Sequence, residues 1–264
     1  MEYMIWDVNP NIISIGYLTI RWYGLMFAFS FLLGYQIMKW MYIREKKDFK
    51  NLDQLLLYLI GGAIIGARLG HCLLYDPVYY LSNPLKIFAV WEGGLASHGG
   101  GIGALIGLFI YKQKTKGSYL WLLDRVAIPT ALAGFFIRMG NLFNSEILGI
   151  PTSVPWAIVF IRIDSIPRHP AQLYEALAYI LIFFLLLFIY KKIGNKLNSG
   201  AFSGFFLFLV FTSRFFIEFV KDKQEAYSTD FWMNTGQVLS IPFVVAGIVL
   251  IFMAFKKKDS LNEN

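Results

Sequence analysis

Apolar runs separated by charged clusters set the pattern of the chain: Ile20 to Met38, Leu55 to Tyr75, Ile87 to Tyr111, Leu120 to Met139, Leu173 to Tyr190, Phe202 to Val220 and Val238 to Phe255. A spanning helix needs roughly 20 apolar residues. The pattern therefore predicts an all-α polytopic integral membrane protein with seven transmembrane helices. The third run differs, because Gly93, Gly94, Gly99, Gly100, Gly101 and Gly103 crowd its first half. So many glycines make an unstable lipid-facing helix, so a glycine-interrupted span, opening as a partly re-entrant loop buried in protein, is expected there. No internal repeat is evident, and the longest outer loop, 141–171, is too short for a domain of its own. Its Pro, Ile, Trp and Val residues suit a structure lying on the membrane surface. One transmembrane domain covering 1–264, with short cytoplasmic loops, is the expected organisation.

Composition strengthens this reading. Of 264 residues, 57% are hydrophobic and only 16% charged, which excludes an ordinary soluble enzyme. The single cysteine, Cys72, excludes an internal disulfide framework and a cysteine-rich metal site. The first residues, MEYMIWDVNP, lack a basic region, so no cleavable signal peptide is expected and the first span directs insertion.

The net charge of +7 is informative through its placement. Lys39, Arg44, Lys46, Lys47, Lys50, the Lys112 to Lys116 cluster, Lys191, Lys192, Lys196 and Lys256 to Lys258 place fourteen cations on one side. Lys86, Arg162, Arg168, Lys221 and Lys223 place five on the other. The bias puts the N-terminus outside and the C-terminus in the cytoplasm. The basic excess then serves cytoplasmic loops and anionic membrane lipids, and no nucleic acid partner is expected.

The remaining cations lie in or beside spans, where a charge costs roughly 2.5 to 3.5 kcal/mol on insertion scales and must find a partner. They gather toward the outer ends. The densest element is Arg138-Met-Gly-Asn141-Leu-Phe-Asn144-Ser-Glu146-Ile-Leu-Gly149. An arginine fork suits a lipid phosphate, amides hold ester or hydroxyl oxygens, and Glu146 can orient the cation. The competing reading is a snorkelling interfacial arginine with a capping asparagine.

Arg214 and Glu218, four apart, share a helical face and are placed to pair, either at a substrate or merely locking two helices. His98, in WEGGLASHGGG, sits among glycines that admit a close ligand and is a candidate proton acceptor; a structural histidine is the alternative. Arg68 and His71, three apart in the second span, either join this polar interior or brace neighbouring helices. Tyr23 fits an aromatic belt as well as a site. Asp124 and Arg125 serve topology or packing, and Cys72 is a buried structural thiol. His169, Glu146 and Glu175 lack a metal-ligand spacing, so neither metal nor cofactor is expected.

RWYGLMF from Arg21, GARLGHCLLY from Gly66, WEGGLASHGG from Trp91, RMGNLFNSEILG from Arg138, HPAQLYEAL from His169, SRFFIEF from Ser213 and GQVLSIP from Gly236 follow one another through most of the chain. In this order they resemble the motifs of the bacterial prolipoprotein diacylglyceryl transferase family. Three neighbouring positions depart from the pattern: Ile137 in place of a glycine, Ser97 in place of an aromatic residue and Val210 in place of a tyrosine.

The resemblance implies a multi-pass enzyme of the bacterial plasma (inner) membrane. It would move the diacylglyceryl group of phosphatidylglycerol to the lipobox cysteine of a prolipoprotein signal peptide, forming a thioether and releasing glycerol 1-phosphate. It marks Tyr23, His98, Arg138 and Arg214 as catalytic, and Asn141, Glu146, Gly149 and Glu218 as substrate-binding. On the roles assigned here, His98 is the base and Arg138 with Arg214 the phosphate clamp. Asn141 and Tyr23 orient the substrate, while Glu146 and Glu218 hold the arginines. A membrane transporter of lipid or organic anion is the alternative, against which the absent repeat and the outward clustering argue. The chain lacks the aspartate run of a CDP-alcohol phosphotransferase, and Ser97 beside His98 does not establish a serine protease.

Overall fold

The computed structural model describes residues 3–16, 18–48, 50–90, 93–115, 117–194, 197–222 and 233–262. Trp91 of the WEGG motif and Lys116, Lys196 and Lys223 of the charge pattern lie outside them. Chain order is β1 (Met4–Trp6), β2 (Asn11–Ile15), β3 (Leu18–Arg21), α1 (Trp22–Arg44), α2 (Leu52–Leu74), α3 (Pro77–Ser82), α4 (Ser97–Thr115), α5 (Tyr119–Asn144), β4 (Ile158–Phe160), β5 (Pro167–Arg168), α6 (Ala171–Ile193), α7 (Ala201–Ile217) and α8 (Thr235–Asn262). The chain divides into two compact units, one of residues 1–38 and 124–264, the other of residues 39–123.

Five helices are long and apolar enough to cross a membrane: α2, α5, α6, α7 with the 3-10 turn that follows it, and α8. The other two long helices, α1 with 23 residues and α4 with 19, have the length alone. Trp, Tyr, Gln and Lys dilute the first, glycine and lysine the second. Exposure argues for lipid around these helices. Leu177, Leu181, Phe184 and Phe188 of α6 are 57–59% exposed, the reverse of a helix whose outer face meets water.

In the larger unit, the start of α1 packs on the end of α5. The Trp22 and Phe143 rings stack at 4.8 Å, and the Tyr23 ring lies so close over Gly140 that a Cβ there would sit 2.8 Å from it. Helices α7 and α8 meet through Gly204 and Gly247, with Phe211 stacked on Phe243 at 4.3 Å. Buried Asp124 caps α7 from another helix, accepting the Gly200 and Ser203 N–H groups at 2.7 and 2.8 Å and the Ser203 hydroxyl at 2.7 Å. These donors are orphans at a helix N-terminus, so Asp124 has the packing role expected of it.

The all-helical expectation needs correction outside the spans. β1 pairs in parallel with β4, β4 pairs antiparallel with β5, and β2 with β3 forms an antiparallel ribbon. A connection of this length has backbone N–H and C=O groups that no helix satisfies, and short ladders pair them. Leu142, Ile158 and Phe160 form a small core beneath, with Trp6, Met139, Leu148 and Leu173 packed on it. The segment between α5 and α6 is thus anchored to the helices it connects.

In the smaller unit, α2 and α4 lie backbone to backbone. A Cβ at Gly103 would overlap the Gly62 carbonyl oxygen, one at Gly99 the Gly66 carbonyl oxygen, and one at Gly107 the Tyr58 carbonyl oxygen. The expected interruption is thereby narrowed: Gly99, Gly100, Gly101 and Gly103 are helical, while Gly93 and Gly94 lie ahead of the helix in left-handed backbone. Glycine weakens an isolated helix, but two helices without side chains at their crossing regain that loss in close van der Waals packing. Cys72 is fully buried in α2.

Candidate active site

The larger unit gathers seven of the eight predicted residues, and their order follows helical spacing. Gly134, Arg138 and Asn141 lie along one face of α5; Gln172, Glu175 and Tyr179 do the same on α6. Between those faces the Arg138 Nε meets Glu175 Oε2 at 2.9 Å, with side-chain exposures of 11% and 0%. Arg138 also hydrogen-bonds Tyr179, whose ring covers Gly134.

From Arg138 the network runs toward the end of α5. Its Nη1 donates to Asn141 Oδ1 at 3.2 Å, and Asn141 Nδ2 donates to Glu146 Oε2 at 3.2 Å. Asn144 Nδ2 donates to the other Glu146 oxygen at 3.1 Å. Two amides therefore hold an exposed carboxylate, and Asn141 is the link between it and the arginine. Ser145 and Ile147 on either side of Glu146 have φ of 54° and 57°. For β-branched Ile147 that is a strained backbone, costing about 1–3 kcal/mol. Gln172 Nε2 donates to the Glu146 carbonyl at 2.6 Å and Asp222 N–H to the Leu148 carbonyl at 3.0 Å, which hold the turn closed.

A second chain of charges leaves Glu175 in the other direction. Lys221 Nζ reaches Glu175 Oε1 at 3.4 Å and Glu218 Oε2 at 2.9 Å, with Lys221 only 6% exposed. The Glu218 carboxyl lies on Gly236, where a Cβ would sit 2.5 Å from its carbon. The Arg214 side chain is half-buried and acts electrostatically on Tyr179. Among the described residues it makes no ion pair with Glu218.

Two expected partnerships are thereby revised. Glu175 grips Arg138, while Glu146 reaches it only through Asn141; Lys221, not Arg214, pairs with Glu218. Glu175 reaches Arg138 from the neighbouring helix, and Lys221, three residues after Glu218, meets both carboxylates at once. Gly149 is buried where the segment between α5 and α6 crosses the end of α7: its N–H donates to the His169 carbonyl at 3.0 Å, and a Cβ would sit 2.7 Å from the Val220 carbonyl oxygen. Tyr23 stands half-buried against Gly140.

Glu175, Lys221, Tyr179 and Gln172 had no assigned role. A signal for three of them was present, since Gln172, Glu175 and Tyr179 fall at positions i, i+3 and i+7 of an otherwise apolar span. Farther out, Arg168 donates to Asp164 at 2.7 and 3.0 Å and to Asp222 at 3.2 Å. The Arg168 hydrogen bonds hold the Asp164 carboxyl below the usual carboxylate range. Among the described residues no three His, Cys, Asp or Glu side chains gather as a cation site.

His98 belongs to the smaller unit, exposed as the second residue of α4. In the same unit, Arg68 is 3% exposed and donates to the carbonyls of Lys86, Ile87, Gly93 and Gly94. Arg68 thus braces the segment ahead of α4, where the expectation was that Arg68 and His71 join the polar interior or brace neighbouring helices.

Comparison with known proteins decides what this cluster belongs to. A family profile described as prolipoprotein diacylglyceryl transferase matches residues 10–253. The chain belongs to this family. A phosphatidylglycerol–prolipoprotein diacylglyceryl transferase from Tolumonas auensis is 49% identical over 97% of this chain and 99% of its own length. Relatives of the same name from Chloroherpeton thalassium and Bacteroides fragilis are 47% and 44% identical, each over 96% or more of both chains. Residues 10–253 contain all eight candidate site residues, and an enzyme family takes the place of the transporter reading.

Proposed function

We propose that this chain, a multi-pass protein of a bacterial plasma membrane, transfers the diacylglyceryl group of phosphatidylglycerol to the lipobox cysteine of a prolipoprotein. The observation that carries the reading is the buried arginine network. Arg138 is fixed on three sides by Glu175, Tyr179 and Asn141, with Arg214 beside the same tyrosine, inside a chain that matches the transferase family over residues 10–253.

In the reaction, the substrate thiol loses its proton to His98 and its sulfur attacks the glycerol carbon that carries the phosphate ester. The carbon–sulfur bond forms as the carbon–oxygen bond breaks, and the electron pair leaves with the phosphate as glycerol 1-phosphate. Negative charge grows on the departing phosphate, where two guanidinium groups in a low-dielectric setting stabilise it most. Glu175 keeps the Arg138 fork aimed without neutralising it at its free face. Asn141 and Tyr23 orient the headgroup side, and Glu146 fixes Asn141. Lys221 and Glu218 complete the charge balance around Glu175, and Gly149 keeps the outer segment closed over the turn.

In this reading α1 and α4 also span, giving seven transmembrane helices in one transferase domain. The N-terminus is outside and the C-terminus cytoplasmic, following the cation bias of fourteen to five. The test is transfer from labelled phosphatidylglycerol to a lipobox peptide by purified enzyme in detergent. Lipidated peptide with release of glycerol 1-phosphate is expected, with Arg138→Lys losing most turnover because an ammonium cannot make the fork's parallel contacts. Absence of product from the folded parent enzyme, or parental turnover by Arg138→Lys, would refute the clamp.

A further inference from the structure

We infer that Arg68 is a positioning residue for His98, acting through the backbone of the segment that opens α4. The inference rests on the base role proposed for His98.

The geometry starts from what His98 lacks. Its ring is exposed and makes no hydrogen bond among the described residues, so no orienting partner holds it as the third group of a catalytic triad would. Its placement is set by the backbone alone. That backbone emerges from an irregular segment with left-handed residues, Gly93 at φ 88° and Gly94 at φ 70°. Glycine reaches this region easily but has the most conformational freedom to lose, so such a segment needs external fixing.

Arg68 supplies it. Nη1 donates to the Gly93 carbonyl and, at 3.3 Å, to the Gly94 carbonyl; Nε donates to Ile87 at 2.9 Å and Nη2 to Lys86. The guanidinium plane sits 5.0 Å from the Tyr80 ring centre, which fixes its orientation. One side chain therefore ties residues 86–87 and 93–94 to α2. The next residues are secured from the same helix: Ala96 N–H donates to the Ala67 carbonyl at 2.9 Å, and the His71 ring lies under Gly94, 2.5 Å from where a Cβ would be. His98 follows two residues after Ala96. The fork shape matters, since a lysine ammonium keeps the charge but cannot span four carbonyls in one plane.

The experiment is a double-mutant cycle on the full-length enzyme in detergent, using Arg68→Lys, His98→Gln and their combination, with kcat and KM for phosphatidylglycerol normalised to folded protein. Arg68→Lys is expected to lower kcat about tenfold to a hundredfold, the scale of a small misplacement of a reacting group, with KM within about twofold of the parent. The double variant is expected to be no slower than His98→Gln alone. Losses that multiply would show Arg68 acting independently of His98 and would overturn the inference, as would parental turnover by Arg68→Lys. A parental rate for His98→Gln would instead remove the base role itself, and this inference with it. If Arg68→Lys does not fold, Gly94→Ala perturbs the same segment against His71 and Arg68, and the same cycle decides with the same outcomes.

Discussion

Replacing Glu175 with glutamine keeps the size of a fully buried side chain and removes one charge, which makes it the sharpest probe of the arginine network. The carboxylate faces Arg138 at 2.9 Å and Lys221 at 3.4 Å. With an effective dielectric of about 20, those contacts amount to about 6 and about 5 kcal/mol of Coulomb attraction, largely offset by desolvation of the ions. Removing one member of such a group costs about 3–5 kcal/mol, because the partners remain buried. The lower figure is expected here, since Lys221 keeps Glu218 and Arg138 keeps Asn141. Glu175→Gln should therefore lower the thermal midpoint in detergent and cut product per folded enzyme by about a hundredfold, as the Arg138 fork loses its aim. Adding Lys221→Met restores the net charge but strands the Glu218 carboxylate, so neither stability nor transfer should recover. Parental melting and parental turnover by Glu175→Gln would refute the claim that Glu175 holds Arg138.

Three further expectations follow from the geometry. Cys72→Ala should keep most transfer activity and lose about 1 kcal/mol of stability, the worth of one small buried group; abolished transfer in a folded variant, with lipid bound to the parent's Cys72, would point to a covalent enzyme route. Gly103→Val drives a side chain into the backbone of Gly62 and Gly66 and should destabilise the α2–α4 pair by about 3 kcal/mol or more, seen as a lowered midpoint, whereas valine at exposed Gly101, with open space around it, should do far less. Asp164 has a folded-state pKa below its unfolded value, so its clasp with Arg168 is at full strength above about pH 4 and is lost as pH falls through the lower, folded value. Proteolysis within residues 161–166 should accelerate in that acid range, and in Asp164→Asn should already be fast at neutral pH.

Five of the expected spans were legible in the order of residues because a bilayer imposes one simple rule, about twenty apolar residues per crossing, that any window of sequence can be tested against. The family's motifs were legible for a related reason: Arg138, Asn141 and Glu146 lie within nine residues and meet through local helix and turn geometry. What the sequence left open is what depends on contacts between distant segments. Gly99 and Gly103 looked like helix breakers because their partners, Gly62 and Gly66, are far away in sequence, and only the close approach of α4 to α2 gives the missing side chains a purpose. The same distance hid Glu175 and Lys221. Arg214 and Glu218 satisfied the one-turn rule for a pair, yet Lys221 folds back onto Glu218 and Glu175, because a buried cation settles where it meets two carboxylates at once. Local spacing determined which residues could face the site; tertiary packing decided which charges meet, since electrostatic partnership depends on distance in space and not along the chain.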